Sequence, residues 1–290
     1  MRACATKCGV IYIMRSSRYI PAPPLSEFVG LFWMYEGYHQ PHKKERLLPD
    51  GSMELVINLN EDQSRVYDRH NTENFQTLSG ALVAGVHSEF FVIDTAEQNA
   101  VVGVHFKPGG AFPFLGRPAS ELRNTLVSLE DLWGAQAGIL RERLLEAGTP
   151  QAMFRILEDT LLARAASRLD RHPAVAFALN EFGALSARLP LTRTIAEVTG
   201  QLGLSAKRFI QVFSDEVGLT PKLFCRVRRF QKVVHLIAKG QPVEWAQVAI
   251  DCGYFDQAHF IHDFRAFSGI NPTTYLAQRT EHLNHVPILE

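Results

Sequence analysis

The spacing of hydrophobic positions changes about forty percent of the way along the chain. Before residue 118, short runs rich in aromatic and β-branched residues are separated by polar residues and glycines, at 28–35, 53–59, 81–86, 90–94 and 100–106. Runs of this length and spacing are typical of strands in a small barrel or sandwich. The N-terminal part is therefore predicted to be β-rich.

From Pro118 onward, leucines recur every three or four positions, from Leu122 and Leu126 through Leu161 and Leu162. This period indicates helices. The segment Arg171-His172-Pro173 interrupts it, and proline suits the first turn of a new helix. We therefore predict an α+β chain: a β-rich domain with trailing helices over 1–170 and an all-α domain over 171–290. The leucine-rich helices of 122–168 suit a dimer interface and the core of the first domain equally well.

The second half contains an internal repeat of about fifty residues. Seven residue pairs match, three at an offset of 50 and four at an offset of 51: Ala196 and Ala246, Val198 and Val248, Gly203 and Gly253, Phe209 and Phe260, Phe213 and Phe264, Gly218 and Gly269, Pro221 and Pro272. A fixed period of this kind indicates a duplicated structural unit rather than an ordinary helical bundle.

Each unit has the features of a helix-turn-helix. A short helix carries a small alanine, a glycine permits the turn, and the next helix buries two phenylalanines four positions apart. Ser205 and Asp256 are good N-caps for the second helix of each unit. A long helix over 221–239 would join the two units. If the units lie about one DNA turn apart, roughly 34 Å, both enter one face of the duplex.

The helical wheel separates buried positions from candidate DNA contacts. With the phenylalanines inward, the predicted contacts of the first unit are Ser205, Lys207, Arg208, Ile210, Gln211 and Ser214, and those of the second are Gln257, Ala258, His259, Ile261, His262 and Arg265. Lysine and glutamine read base edges, arginine reads bases or phosphates, and isoleucine packs on a thymine methyl. Arg228 and Arg229, in the cluster 226–232, are predicted phosphate contacts, although a solvated helix face explains them equally well.

The strings LGLSAKRFIQVFSDEVGLTP and VAIDCGYFDQAHFIHDFRAFSGINPTTYL resemble the DNA-binding domain of the AraC/XylS family of bacterial transcription regulators. The resemblance covers about Pro173 to Arg279 and implies two helix-turn-helix units that bind promoter DNA. The family often carries a Ser-aromatic-Phe-Ser-Arg run in the second unit, where this chain has Ala258 to His262. We therefore expect sequence specificity to reside mainly in the first unit.

The strings RLLPDGSMELVINL, VGVHFKPGGAFPFLGRPASEL and LEDLWG resemble the sensor domain of one subgroup of these regulators. The resemblance implies a cupin-like β domain followed by helices. Polar residues in these strings are the candidate contacts for a small-molecule ligand: Arg46, Asp50, Glu54, His105 and Lys107. Simpler roles compete, because Asp50 suits a turn, Glu54 a solvent-facing strand position, and the residues after His105 a strand end with a Pro-Gly turn.

Composition narrows the classes of function. The formal net charge is zero, but residues 170–279 hold 13 Lys and Arg against 9 Asp and Glu. No apolar run is long enough for a membrane helix, and four scattered cysteines favour the cytoplasm. The histidines His39, His42, His87 and His105 are too dispersed for a metal motif, so no metal or cofactor is assigned.

The leading hypothesis is a cytoplasmic, sequence-specific transcription regulator and not an enzyme. Promoter DNA is the expected partner, with a small-molecule effector bound by the N-terminal domain. RNA polymerase and a second copy of the chain are further candidate partners. Two alternatives stay open at this point: a DNA-tethered enzyme or repair factor, and a regulator whose N-terminal domain only contacts other proteins. An open apolar pocket would favour sensing, and a filled β interior would favour protein contacts.

Overall fold

The fold is described from a computed structural model, which covers residues 3–4, 12–165, 169–187, 195–238 and 243–289. Its strands are β1 (Ala3–Cys4), β2 (Tyr12–Ile13), β3 (Arg15–Tyr19), β4 (Val29–Glu36), β5 (Lys44–Leu47), β6 (Glu54–Asn58), β7 (Gln63–Tyr67), β8 (Phe75–Ser79), β9 (Ala81–Ala84), β10 (Phe91–Asp94), β11 (Ala100–Phe106), β12 (Leu126–Ser128) and β13 (His285–Ile288).

The helices are α1 (Phe112–Leu115), α2 (Leu129–Trp133), α3 (Ala135–Glu146), α4 (Pro150–Arg164), α5 (Pro173–Ala187), α6 (Ile195–Gly200), α7 (Ala206–Val217), α8 (Pro221–Ile237), α9 (Trp245–Asp251), α10 (Gln257–Ser268) and α11 (Pro272–Gln278). The chain is thus a β-rich half followed by a helical half, as the change in hydrophobic period predicts.

A six-stranded antiparallel sheet in the order β12-β9-β6-β11-β4-β3 forms the main wall of the β-rich half. The central strand β11 pairs with both β4 and β6. Its Gly103 sits against the ring of Trp33, since a Cβ there would lie 2.5 Å from that ring. A three-stranded sheet, β10-β5-β13, and the hairpin β7-β8 complete the strands of this half beyond the short β1-β2 pair.

The leucine-rich region is only partly helical. Leu122 lies in a 3₁₀ turn and Leu126 in strand β12, so the predicted helix over these two residues is wrong. β12 pairs with β9, and the backbone hydrogen bonds of the sheet override the local spacing. The α-helices of the leucine-rich region begin at Leu129.

Helix α4 packs one face on strand β4 of the six-stranded sheet, and α3 packs against α2 and α4. Their core residues are buried, among them Leu140, Leu144, Leu157 and Leu161. Phe154 of α4 stacks with Phe32 of β4, with ring centroids 6.3 Å apart. The opposite face leaves Ile139, Leu145 and Leu162 exposed. The helices therefore serve the core of the first domain, and a dimer contact through their outer face stays a prediction.

The helical half contains the two predicted units. Helices α6 and α7 form the first, α9 and α10 the second, and α8 joins them. The Ser205 hydroxyl accepts a hydrogen bond from the Arg208 amide, and the Asp256 carboxylate accepts one from the His259 amide, so both N-caps are confirmed. The turn glycines Gly203 and Gly253 have φ of 65° and 78°. The duplicated sequence therefore builds duplicated structure.

The two halves are joined by direct contacts. Gly218, which ends α7 with φ of 83°, packs against the β-rich half, and a Cβ there would lie 2.3 Å from Val86. The Ser120 hydroxyl donates to Asp215 at 3.3 Å. Arg171 donates to the carbonyl of Pro108 at 2.8 Å. The first unit is therefore docked on the segment that follows β11.

The last strand of the chain was not anticipated from the sequence. β13 pairs antiparallel with β5, so the end of the helical half returns to the β-rich half. The prediction that 171–290 is all-α therefore misses one strand. Its four residues, His-Val-Pro-Ile, are too short a run to identify without the partner strand.

Candidate DNA-binding surface and ligand cavity

Helix α7 presents a polar face to solvent. Phe209, Val212 and Phe213 are buried in the helical core. Lys207 and Gln211 are exposed on the other side, together with Arg208 and Ile210. This exposed face carries side chains suited to base edges, phosphates and thymine methyls.

Among the predicted DNA contacts of the first unit, the two serines are placed differently from Lys207, Arg208, Ile210 and Gln211. The Ser205 hydroxyl is used to cap α7, where it accepts from the Arg208 amide at 3.3 Å. Ser214 is only half-exposed, and its hydroxyl oxygen is buried without a hydrogen-bond partner among the described residues. Ser214 therefore lies at the margin of the exposed face.

Helix α10 has the same orientation in the second unit. Phe260, Phe264 and Phe267 are buried. Five of the predicted contacts are exposed, namely Gln257, Ala258, His259, His262 and Arg265. Ile261 is half-buried and packs against the core. The outward face of α10 is thus less cationic than that of α7.

Phe255, in the turn before α10, is 91% exposed. This exposed ring lies beside the candidate DNA-binding face. The helical wheel did not identify Phe255, because a wheel includes only helical positions. The sequence did carry a signal for Phe255: it lies in a turn, directly before the N-cap Asp256, where folding does not require an aromatic side chain.

Two arginines of α8 bind other parts of the protein. Arg226 donates to the buried carboxylate of Asp263 at 2.6 Å. Arg229 donates to the carbonyl of Gly253 at 2.9 Å and lies over the Tyr254 ring. The contacts of Arg226 and Arg229 hold the second unit on α8. Arg228 is half-buried, and its charge opposes the rise in the pKa of Asp50. Contact of Arg228 and Arg229 with phosphates stays a prediction.

The β-rich half encloses a cavity of about 300 Å³. Its apolar walls come from the sheet residues Leu31, Trp33, Val56, Leu82 and Val101. Four of its charged lining residues form two pairs, Arg65 with Glu97 at 2.8 Å and His105 with Glu54 at 2.9 Å, and a fifth, the exposed Arg18, lies at its edge. Cavities of this size with mostly apolar walls and a few polar groups are typical of small-molecule sites.

His105 is protonated at neutral pH. Burial by itself lowers the pKa of His105, but the hydrogen bond to Glu54 and the charges of Glu54 and Asp50 raise it to about 9. Burial raises the pKa of Asp50, against the opposing effect of His105. The imidazolium therefore sits between two carboxyl groups at the edge of the cavity.

The predicted ligand residues separate into two groups. Glu54 and His105 line the cavity, and Asp50 lines an adjoining cavity of about 290 Å³. Arg46 and Lys107 lie outside both: Arg46 stacks on Phe90 with 5.6 Å to the ring centroid, and Lys107 is exposed beyond the end of β11. Side-chain alternation along the strands decides which polar residues face inward.

The adjoining cavity lies between the two halves. Its lining joins Asp50 and His87 of the β-rich half with His235 of α8 and His282 of the C-terminal segment. Burial lowers the pKa of His87 to about 4, so this ring is uncharged. Its Nε2 is buried without a partner among the described residues. Across the described part of the chain, no three or more His, Cys, Asp or Glu are arranged to hold a metal ion.

Two family models match the chain. Residues 17–128 match a model described as a domain of unknown function, DUF6597. Residues 198–278 match a model described as a helix-turn-helix domain. Among the helices that the structure describes, none has both the length and the apolar character needed to cross a membrane.

The chain is similar to two curated proteins. It is 32% identical over 82 residues to the probable transcriptional regulator LumQ of Photobacterium leiognathi, covering 28% of this chain and 33% of that protein. It is 29% identical over 72 residues to an uncharacterized HTH-type transcriptional regulator of Haemophilus influenzae, covering 25% of this chain and 24% of that one. The chain thus spans a third or less of each of these relatives.

A solved structure similar to this chain is that of an apo variant of ToxT from Vibrio cholerae. It is 12% identical, covers 92% of this chain and 98% of that one, and gives a TM-score of 0.44.

Proposed function

Since residues 198–278 match a helix-turn-helix domain, we propose that the protein is a sequence-specific, DNA-binding transcription regulator of the AraC type. The observation that carries the proposal is the pair of N-capped helices, α7 and α10, each with a buried phenylalanine face and an exposed polar face. Both are attached to the single helix α8. Two exposed helices on one rigid scaffold are suited to successive major-groove contacts.

The proposal assigns unequal roles to the two units. The exposed face of α7 carries Lys207, Arg208 and Gln211, which read base edges and phosphates. The exposed face of α10 has one arginine, Arg265, and two histidines. Sequence specificity therefore resides mainly in the first unit, and the second unit mainly adds affinity for the duplex.

The β-rich half is proposed to bind a small-molecule effector. Its interior holds a cavity with apolar walls and a few paired polar groups, rather than a fully side-chain-filled core. This observation favours a sensing domain over one that only contacts other proteins. The proposal gives the β-rich half a binding role and no catalytic one.

Selection of bound sequences from random DNA by the full chain, at near-physiological salt, tests the proposal. The expected result is a motif with one well-defined element and a second, weaker element about one helical turn away. A full chain that enriches no sequence, while it retains its fold by circular dichroism, would contradict the proposed function.

A further inference from the structure

The C-terminal tail, residues 280–289, leaves the helical half and joins the β-rich half. Val286 pairs with Arg46 and Ile288 with Lys44 in the antiparallel register of β13 and β5. The Leu48 amide donates to the Asn284 carbonyl at 2.9 Å and extends this pairing by one residue. The tail therefore provides β5 with its second neighbour, opposite β10.

Side chains of the tail hold this strand in place. Val286 is fully buried in the common core. His285 Nδ1 lies 2.8 Å from the carboxylate of Glu45, which is itself buried. The same carboxylate accepts from the Tyr38 hydroxyl at 3.1 Å. The tail is thus anchored by an apolar side chain on one face and a buried polar contact on the other.

The tail also forms part of the cavity lining. His282 and His285 line the cavity inside the β-rich half and also the adjoining cavity between the halves. The His282 ring packs edge-on against Tyr35, with centroids 6.2 Å apart. Its Nε2 is buried and has no hydrogen-bond partner among the described residues. A nitrogen buried without a partner is costly unless a ligand or water satisfies it.

We propose that the effector site is built by both halves of the chain, with the tail as one wall and His282 as a ligand contact. The ligand is a small, uncharged, mostly apolar molecule that carries one hydrogen-bonding group. The inference rests on the proposed function only where it calls this ligand an effector.

The charges of the lining support an uncharged ligand. In the lining, Glu54 is paired with His105 and Glu97 with Arg65, and His285 contacts the buried Glu45 behind the lining. Burial lowers the pKa of His282, so its ring is uncharged at neutral pH. The arginine at the edge of the cavity, Arg18, contacts the Tyr35 hydroxyl at 3.4 Å. An anionic ligand would have to rely on this exposed arginine.

The size of the cavity sets the size of the ligand. Its volume is about 300 Å³, roughly twice that of an engineered apolar cavity of ~150 Å³ that binds benzene. A fused two-ring aromatic molecule fits this volume. A hydroxyl on such a molecule can act as donor or acceptor, and so can satisfy either tautomer of the His282 ring.

Tail pairing and ligand binding are consequently linked. The tail is tied to the helical half by the Tyr275 hydroxyl, which donates to the Leu283 carbonyl at 2.9 Å. It is also tied to α8 through Gln231, which donates to Asn284 at 2.9 Å. A ligand that contacts His282 binds best when the tail is in place, and by linkage it stabilises the docked helical half.

Equilibrium binding of three matched probes to the full chain at pH 7 tests the ligand class. The probes are 2-naphthol, which is uncharged, naphthalene, which lacks the hydroxyl, and 2-naphthoate, which is an anion. We expect 2-naphthol to bind at least fivefold more tightly than either other probe. Tighter binding of 2-naphthoate, or no binding of any probe, would overturn the proposed class.

Two variants of the tail test its role as a wall. Val286→Asp places a charge in the buried strand, and Leu289→Asp adds the same charge at a position that is 69% exposed. We expect Val286→Asp to weaken 2-naphthol binding at least tenfold and to speed hydrogen exchange of the β5 amides. Leu289→Asp should change neither. Unchanged 2-naphthol binding in Val286→Asp would overturn the composite site.

A third variant remains informative if Val286→Asp unfolds. His282→Phe keeps a ring of similar size and removes the nitrogen, so naphthalene binding should persist while the preference for 2-naphthol disappears. A retained preference would remove His282 from the site. None of these binding measurements uses DNA. If the chain failed to select a DNA sequence, the proposed function would be overturned, but the composite ligand site would still be supported.

Discussion

The side-chain amide nitrogen of Gln231, on α8, lies 2.8 Å from the carbonyl oxygen of Pro49, in the loop before β6. The same nitrogen lies 2.9 Å from the side-chain oxygen of Asn284 in the tail. Gln231 is buried. One amide group on the helix between the two helix-turn-helix units therefore contacts the β-rich half and the tail together.

Replacing this amide should loosen the junction between the halves. Gln231→Leu keeps a buried apolar stem but leaves the Pro49 carbonyl without its donor, and loss of such a hydrogen bond costs about 1–3 kcal/mol of unfolding free energy. Urea denaturation measures this loss. Lys222→Ala, at an exposed position of the same helix, is the matched control, and equal losses in the two variants would contradict the assigned role.

Lys207 and Gln211 should carry sequence preference. Lys207→Ala and Gln211→Ala remove base-edge donors from the exposed face of α7, so each should weaken binding to a selected sequence by about 1–3 kcal/mol and binding to random DNA by less. Competition binding at one fixed salt concentration measures both affinities. Equal losses on selected and random DNA would show that these side chains contact only phosphates.

Ser205 has a structural role that must be separated from DNA contact. Ser205→Ala removes the cap of α7 and should cost about 1 kcal/mol of stability. Ser205→Asp keeps a capping oxygen but brings a negative charge towards phosphate, so it should retain stability and weaken DNA binding. Thermal denaturation and DNA binding of both variants check this. Normal DNA affinity in Ser205→Asp would place residue 205 away from the duplex.

The ion pair of Arg226 and Asp263 should stabilise the second unit. Arg226→Ala leaves a buried carboxylate without its partner, and we expect a loss of about 1–3 kcal/mol. The double variant Arg226→Ala/Asp263→Ala should lose less than the sum of the two single variants, because the pair is removed as a unit. Additive losses in a denaturation cycle would show that the two side chains do not interact.

Stability should fall at alkaline pH through His105. The folded pKa of this histidine is raised to about 9 from an ordinary value of 6.5. The stabilisation from its contacts with Glu54 and Asp50 is therefore complete below pH 6.5 and lost as the pH rises through about 9, a change on the order of 3 kcal/mol. Urea denaturation from pH 6 to pH 10 measures it. His105→Asn should flatten the decline, and an unchanged decline in that variant would assign it to another group.

The strands show where sequence patterns stop being sufficient. β4, β6 and β11 were predicted, because a buried central strand has a continuous hydrophobic run. β3 and β5 were not predicted, because their residues, Arg15–Tyr19 and Lys44–Leu47, are mostly polar or charged. Such strands are identified by the neighbours to which they hydrogen-bond, and those neighbours are distant in sequence.

The sequence by itself determined the duplicated helix-turn-helix units. Their signals are local: caps, turn glycines and phenylalanines four positions apart act within a dozen residues, so the order of residues is enough to specify them. Only the tertiary structure decided that Arg226 pairs with Asp263, that Glu54 and His105 face a cavity while Arg46 does not, and that the tail adds a strand to β5. Each of these depends on contacts between segments up to 240 residues apart, and hydrophobic period carries no information about which distant segments meet.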